Sequence, residues 1–252
     1  MRPYILREAN WKNVRKTDFH LAILPWGATE AHNYHLPYGT DNMETESIAE
    51  ASAKKAWEKG AKVIVLPIIP FGVNAQQLDI KLTINMNPST QAKILADVVE
   101  SLENHQIRKL VILNGHGGND FRQMIRERQR KTHIFLCTVA WYAITKNMEL
   151  FDEPGDHAGE METSLMMHLN KDLLLPLKKA GNGSAKQFRI AGFKEGWAWA
   201  PRQWTKVTRD TGVGNPKAAT EEKGKRYFET VVNEISNFLI ELATLNPDDL
   251  YE

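Results

Sequence analysis

Apolar runs of strand length recur four times along this chain, and a segment of helical spacing follows each of them. The runs are His20-Leu21-Ala22-Ile23-Leu24-Pro25, Lys62-Val63-Ile64-Val65-Leu66-Pro67, Lys109-Leu110-Val111-Ile112-Leu113 and the stretch 132–142. Each is too short for a buried helix and reads as a buried strand. Residues 42–59 carry Ile48, Ala49, Ala53, Ala56 and Trp57 at helical intervals, with Gly60 as a stop. Asp41 and Glu44 have the spacing of a capping box at that helix's start. Pro88-Ser89-Thr90 opens a second helix, to about His105, with Ile94, Leu95, Val98, Val99 and Leu102 on one face. A basic helix is expected after Asn119 and another over 160–170. A last one begins near Asn215-Pro216, a cap followed by proline, and runs to about Leu245. Such alternation predicts an α/β fold, a three-layer α/β/α sandwich with a mostly parallel sheet. No repeat or linker divides residues 1–252, which read as a single domain. Only 178–215, rich in Gly, Lys and Trp, lacks clear periodicity.

Ligands of open α/β sheets bind beyond the carboxyl ends of the strands. The segment after the first run, Trp26-Gly27-Ala28-Thr29-Glu30-Ala31-His32-Asn33-Tyr34-His35-Leu36-Pro37-Tyr38-Gly39-Thr40-Asp41, is crowded with ionisable groups. Each would cost several kcal/mol if buried without a partner. A bound cation converts clustered carboxylates into ligands. The third run ends in Asn114-Gly115-His116-Gly117-Gly118-Asn119, and a third motif reads Asp156-His157-Ala158-Gly159-Glu160-Met161-Glu162-Thr163-Ser164. The candidate metal ligands are Glu30, His32, Asp41, His116, Glu160 and Glu162, and the candidate catalytic groups are His157 and Glu160.

Imidazoles and carboxylates without thiol suit zinc first, with manganese or iron(II) as alternatives, and a carboxylate such as Asp41 that can bridge favours two divalent ions over one. Such a pair, about 3.5–4 Å apart, would generate a hydroxide nucleophile and clamp an oxyanion. His157 could then protonate a departing nitrogen. Taken singly, the same residues have plainer readings. Asp41 could be a helix cap, and His116 a turn residue. The glycines could cradle a phosphate, although Asp120 breaks the dinucleotide fingerprint. Glu160 and Glu162 could complement a helix dipole. His35 reads as structural, and His20, His105, His133 and His168 receive no role.

Several classes are excluded. Thirty-two Lys plus Arg against 31 Asp plus Glu supply no general field for nucleic acid or membrane surface. The single cysteine, Cys137, cannot form an intrachain disulfide, which favours a reducing compartment, and the N-terminus shows no signal core. The longest apolar run, 63–73, is broken by prolines and too short to span a bilayer. A cytoplasmic protein is expected. The chain carries no His-Glu-x-x-His helix, no Gly-x-Ser-x-Gly elbow and no Walker loop.

At these three motifs, and in Gly212-Val213-Gly214-Asn215-Pro216 with Ala218-Ala219-Thr220 and Lys223-Gly224, the sequence resembles the creatininase (creatinine amidohydrolase) family over most of its length. The resemblance implies a binuclear metal centre in a three-layer domain, assembled as a homohexamer. It implies that Glu30, Asp41 and His116 serve the metals, with Asp41 bridging, that His32 binds the second ion, and that His157 carries protons. The implied reaction is metal-dependent hydrolysis of a non-peptide C–N amide bond in a small open-chain or cyclic substrate.

Two departures bear on the substrate. Creatininases carry a glutamate ligand two residues after the histidine of the second motif, where this chain has Gly118. Glu160 or Glu162 is the candidate replacement, as in relatives that also read Asn-Gly-His-Gly-Gly-Asn. Those include formamide hydrolases of flavin and deazaflavin biosynthesis and a peptidase that matures a redox peptide. After the second strand, Asn74-Ala75-Gln76-Gln77 replaces the common Ser-x-Glu-His. Asn74, Trp197 and Trp199 are candidate substrate contacts. Trp197, Trp199 and Trp204, with Phe188 and Phe193, could form an aromatic flap or a subunit interface. The alternatives are a formamide hydrolase acting on a formamido-pyrimidine and a non-catalytic metal-binding family member.

Overall fold

The computed structural model describes residues 2–144 and 149–251. A single helical turn, α1 (Trp11–Val14), precedes β1 (Leu21–Trp26). Then follow α2 (Thr40–Glu58), β2 (Val63–Val65), α3 (Pro88–Asn104), β3 (Lys109–Asn114), α4 (Arg122–Gln129) and β4 (Phe135–Ala140). Beyond these lie β5 (Gly155–His157), α5 (Glu160–Asn170), the short turns α6 (Ala191–Lys194) and α7 (Trp204–Val207), β6 (Val213–Gly214) and α8 (Glu221–Thr244).

The four-stranded sheet has the order β2-β1-β3-β4 and is parallel throughout. Leu21 stands opposite Val63, Ala22 opposite Leu110 and Lys109 opposite Phe135. Because side chains alternate along a strand, each run feeds two cores. Leu21, Ile23, Val63, Val65, Val111 and Leu113 pack on one face against Ile48, Ala49 and Ala53 of α2 and Tyr227, Val231, Ile235 and Leu239 of α8. Ala22, Leu24, Trp26, Ile64, Leu110 and Ile112 pack on the other against Leu95, Val99 and Leu102 of α3. Helices on both faces make the three-layer sandwich, and double burial is why the strands read as continuous apolar runs.

The helix starts differ from expectation in two places. The α2 N-cap is Gly39, with no side-chain cap, so Asp41 lies inside the helix and its carboxylate is free for other work. Asn215 caps only a 3-10 turn at Pro216–Ala218, and α8 begins later, where the Thr220 hydroxyl accepts from the Lys223 N–H at 3.2 Å. The stop at Gly60 is real, since its φ of +93° is one that L side chains rarely adopt. The α8 carboxyl end is held by the buried Lys109 ammonium, which donates to the carbonyls of Leu242, Ala243 and Leu245. Among the described residues, no helix is long and apolar enough to cross a membrane.

In the order β2-β1-β3-β4 the connections leave in opposite directions at the β1/β3 boundary. That is the switch point where open α/β sheets form a crevice. The loops carrying Glu30 and His116 both start there.

Candidate metal centre

The loop after β1 is pinned to the loop after β2. Trp26 Nε1 donates to the Phe71 carbonyl at 3.0 Å and Thr29 Oγ1 to that of Pro70 at 2.8 Å. The chain then reverses, and the Glu30 N–H meets the Tyr38 carbonyl at 3.2 Å, which sets Glu30 beside the start of α2. The loop after β3 is braced by Asn114, whose Oδ1 accepts from the His116 N–H and whose Nδ2 donates to the His116 carbonyl, both at 3.1 Å. Gly115 is required, because a Cβ there would overlap Thr45 Oγ1. The β5 strand, paired antiparallel with β6, delivers His157 from the opposite side.

These three segments bring six side chains together. Glu30, Asp41 and His116 form one group whose ligand atoms lie within 4.8 Å of one another, and His32, Asp41 and Glu162 form a second. Glu30, His32 and His157 form a third. Asp41 belongs to the first two and offers each a different oxygen. Its Oδ1 lies 2.8 Å from His32 Nε2, and its Oδ2 lies 3.0 Å from His116 Nδ1. Glu30 Oε1 is 2.9 Å from the same His116 nitrogen. Nearly all of this is sealed from solvent: Glu30, His32, Asp41, His116 and His157 are buried, and Glu162 is partly so.

The histidines share one arrangement. His32 Nδ1 meets the Glu30 carbonyl at 3.1 Å, His116 Nε2 the Val73 carbonyl at 3.1 Å, and His157 Nε2 the Ala31 carbonyl at 2.9 Å. A carbonyl only accepts, so each of these nitrogens carries the hydrogen, and each ring turns its other nitrogen toward the carboxylates. Backbone-anchored imidazoles of this kind are how proteins orient metal ligands.

Without an ion the cluster needs protons instead. Burial opposes charging His32, but Asp41 outweighs it and raises the imidazole to about 10. Burial opposes charging His116 too, and Glu30 and Asp41 raise it well above its usual value. Burial alone would raise Glu30 and Asp41, yet the neighbouring imidazoles hold both below the ordinary carboxylate range. Glu30 Oε1 and Asp41 Oδ2 are buried without a hydrogen bond of acceptable geometry. Carboxylate oxygens left over, facing imidazole nitrogens with no other partner, form a donor set that divalent cations fit.

The model of the creatininase family, described as creatinine amidohydrolase, matches residues 7–239. The chain belongs to the creatininase family. It is 25% identical over 241 residues to the creatinine amidohydrolase of Pseudomonas putida, covering 87% of this chain and 88% of that one. It is 26% identical over 226 residues to the mycofactocin precursor peptide peptidase of Mycobacterium tuberculosis, covering 84% of this chain and 81% of the relative. A crystal structure from Bacteroides fragilis, of a protein provisionally described as a creatinine amidohydrolase, superposes with a TM-score of 0.93 at 41% identity. It covers all of both chains. A creatininase variant in its Zn–Zn form superposes at 0.79 with 23% identity over 96% of this chain and 99% of that one, a likeness of fold.

Against the expected creatininase-like ligand set, Glu160 requires a correction. Its buried carboxylate turns away from the cluster. It accepts the N–H groups of Asp152 and Glu153, each at 2.8 Å, and pairs with Lys223. Glu162 is the member of that helical turn that joins His32 and Asp41, and its Oε2 also accepts from the Ala158 N–H. Gly118 has no room for a side chain, because a Cβ would meet the Val73 carbonyl and lie 2.5 Å from His116 Nε2. His35 stands outside the groups, with Nε2 2.9 Å from Thr163 Oγ1, and ties the first loop to α5.

Of the candidate substrate contacts, Asn74 follows Val73, whose carbonyl anchors His116. Asn74 is buried and braces its own loop, its N–H donating to Asn85 Oδ1 at 2.8 Å and its Nδ2 to the Ile84 carbonyl at 3.2 Å. Trp197 and Trp199 stand at the surface, 76% and 84% exposed. Trp204 is the tryptophan that reaches the centre, its ring edge-on to His157 with centroids 5.2 Å apart and the Arg202 guanidinium 4.6 Å over its ring. Sequence reasoning missed Gln77, whose Nε2 donates to Glu30 Oε2, and Glu44, a buried carboxylate one helical turn beyond Asp41. Glu44 carries a signal, an acidic residue three positions from a candidate ligand, which the capping-box spacing also explains.

Proposed function

We propose that this creatininase-family protein hydrolyses a C–N amide bond of a small substrate at a pair of divalent ions held by Glu30, His32, Asp41, His116 and Glu162. The observation that carries the proposal is the shared anchoring of the three imidazoles, which turns three ring nitrogens toward Glu30 and Asp41, each of which keeps one unsatisfied carboxylate oxygen. Ions bound there would supply Lewis acidity toward the amide carbonyl and make water nucleophilic near neutral pH. Zinc is the first choice, with manganese or iron(II) as alternatives, since Zn–Zn and Mn forms of creatininase are known folds of this kind.

His157 moves the proton. Its Nε2–H is committed to the Ala31 carbonyl, so Nδ1, 3.9 Å from Glu30 Oε1, is the working nitrogen. It can accept a proton as the nucleophile forms and return it to the leaving nitrogen. Trp204 packs edge-on against the ring and limits its rotation. Gln77 holds one Glu30 oxygen, leaving the other for the ion.

A cleft of about 770 Å³, lined by Gly155, Asp156, Phe188, Phe193, Arg202 and Val213 among others, opens beside β5. Its breadth favours one second reading, cleavage of an amide in a peptide-sized substrate, the class named for the mycobacterial relatives. Cytoplasmic location and assembly as a homohexamer complete the proposal, and the exposed Trp197 and Trp199 would suit burial against another copy.

The test is hydrolysis by metal-free protein reloaded with zinc or manganese, across creatinine, small cyclic amides, formamido-pyrimidines and short peptides. Turnover that requires the metal and is abolished by chelation is expected. Stoichiometric metal with no turnover of any amide would leave a binding protein in its place.

A further inference from the structure

Glu44 is fully buried, and neither of its carboxylate oxygens has a hydrogen-bond partner. A buried ionised carboxylate without a partner is among the most costly groups in a protein, and a protonated one still needs an acceptor for its O–H. Among the described residues no cationic side chain is paired with it, and the charged groups that act on it are Glu162 and Asp41, both of its own sign. Nothing among the described residues accounts for its burial.

Its position does. Asp41 and Glu44 are three residues apart on α2, which puts them on one face of the helix. That helix packs against α5, whose first turn carries Glu162. Glu44 therefore lies within electrostatic range of Asp41 and Glu162 but outside the metal-free group in which the ligand atoms of His32, Asp41 and Glu162 stand within 4.8 Å of one another, as like charges do until a cation draws them together. The loop after β3 has nothing to add there because Gly118 is walled in by Val73 and His116.

Charge points the same way. With the imidazoles neutral, Glu30, Asp41 and Glu162 bring three negative charges to two divalent ions. Glu44 brings the fourth, which balances the pair before the bound water loses its proton, in a water-excluded site where uncompensated charge is expensive.

We propose that Glu44 is a ligand of the second ion, with His32, Asp41 and Glu162, and that it makes that position oxygen-rich enough to favour Mn²⁺ over Zn²⁺ relative to the Glu30–Asp41–His116 position. The proposal rests on the binuclear reading given above and adds to it a residue and a preference.

The test is Mn²⁺ and Zn²⁺ titration of the metal-free full chain by calorimetry, with electron paramagnetic resonance of the Mn²⁺-loaded protein, for the unmodified chain, Glu44→Gln and Glu44→Leu. The unmodified chain is expected to bind two Mn²⁺ with a spin-coupled spectrum. Both variants are expected to keep one ion with an isolated-ion spectrum, the second weakened on the order of 10–100-fold or more. Metal-free melting separates this from misfolding: removing an unpartnered buried acid should leave the melting temperature unchanged or higher. Variants that bind two Mn²⁺ with unchanged affinity and coupling would remove Glu44 from the shell and leave the binuclear reading standing. An unmodified chain that takes up neither ion would overturn both. A variant that does not fold without metal would show that Glu44 has a structural partner, which also overturns the proposal.

Discussion

His32 and Asp41, nine positions apart in the chain, meet at 2.8 Å between Nε2 and Oδ1, with the far nitrogen of the ring fixed on the Glu30 carbonyl. A neutral imidazole so anchored would point a lone pair at a carboxylate. Something positive must lie between them, a proton in the metal-free protein or an ion in the loaded one.

Metal uptake should therefore release protons. His32, raised to about 10, and His116, raised well above its usual value by its two carboxylates, are both charged at pH 7 without metal. Each must shed a proton to become a ligand, so about two protons should leave per chain. Calorimetry in buffers of different ionisation enthalpy measures this number, and binding heats independent of buffer would contradict it.

The metal-free protein should lose stability toward alkaline pH. The folded His32 pKa, about 10, lies above the unfolded 6.5. Its contribution is complete below about 6.5 and disappears as pH rises toward 10. Glu30 and Asp41 are depressed, so their contribution is present above about 4 and is lost as pH falls below it. Urea denaturation of chelated protein should show greatest stability between those limits, and saturating metal should flatten the alkaline decline.

Replacing His157 by Asn should lower kcat by about 10²–10⁴-fold, the range for a positioned general acid–base group. Metal content should stay near that of the unmodified chain, because Glu30, His32, Asp41, His116 and Glu162 are untouched. Equal loss of metal and activity would move His157 from proton carrier to ligand.

Glu160→Gln should cost stability and spare the metal. The buried carboxylate accepts two backbone N–H groups and neutralises Lys223, so the loss should be on the order of 3 kcal/mol in chemical denaturation. Two ions per chain should still bind. A variant that folds well but loses an ion would restore Glu160 to the ligand set.

The strands were legible because a doubly covered parallel sheet demands uninterrupted apolar runs, and Leu21–Trp26 and Lys109–Asn114 have them. The meeting of Glu30 with His116 followed from where such sheets bind ligands. Glu160 and Glu162 could not be told apart: two residues on a helix lie about 200° from each other, so they face opposite ways. Only the packing of α5 on α2 and α8 decides which one sees the centre. Trp204 could not be separated from Trp197 and Trp199, because the segment that holds them has no period to assign a face. Glu44 reads as a cap partner because sequence shows its distance from Asp41 but not that the helix begins at Gly39 without a side-chain cap.

Lys109 begins β3, whereas the metal-ligating loop leaves from the other end of that strand. The last turn of α8, gripped by this ammonium, therefore sits at the end of β3 opposite the loop that carries His116. Residues following Leu245 are accordingly a good anchorage for a fusion partner or a solid support, since a tether there would leave substrate traffic unobstructed.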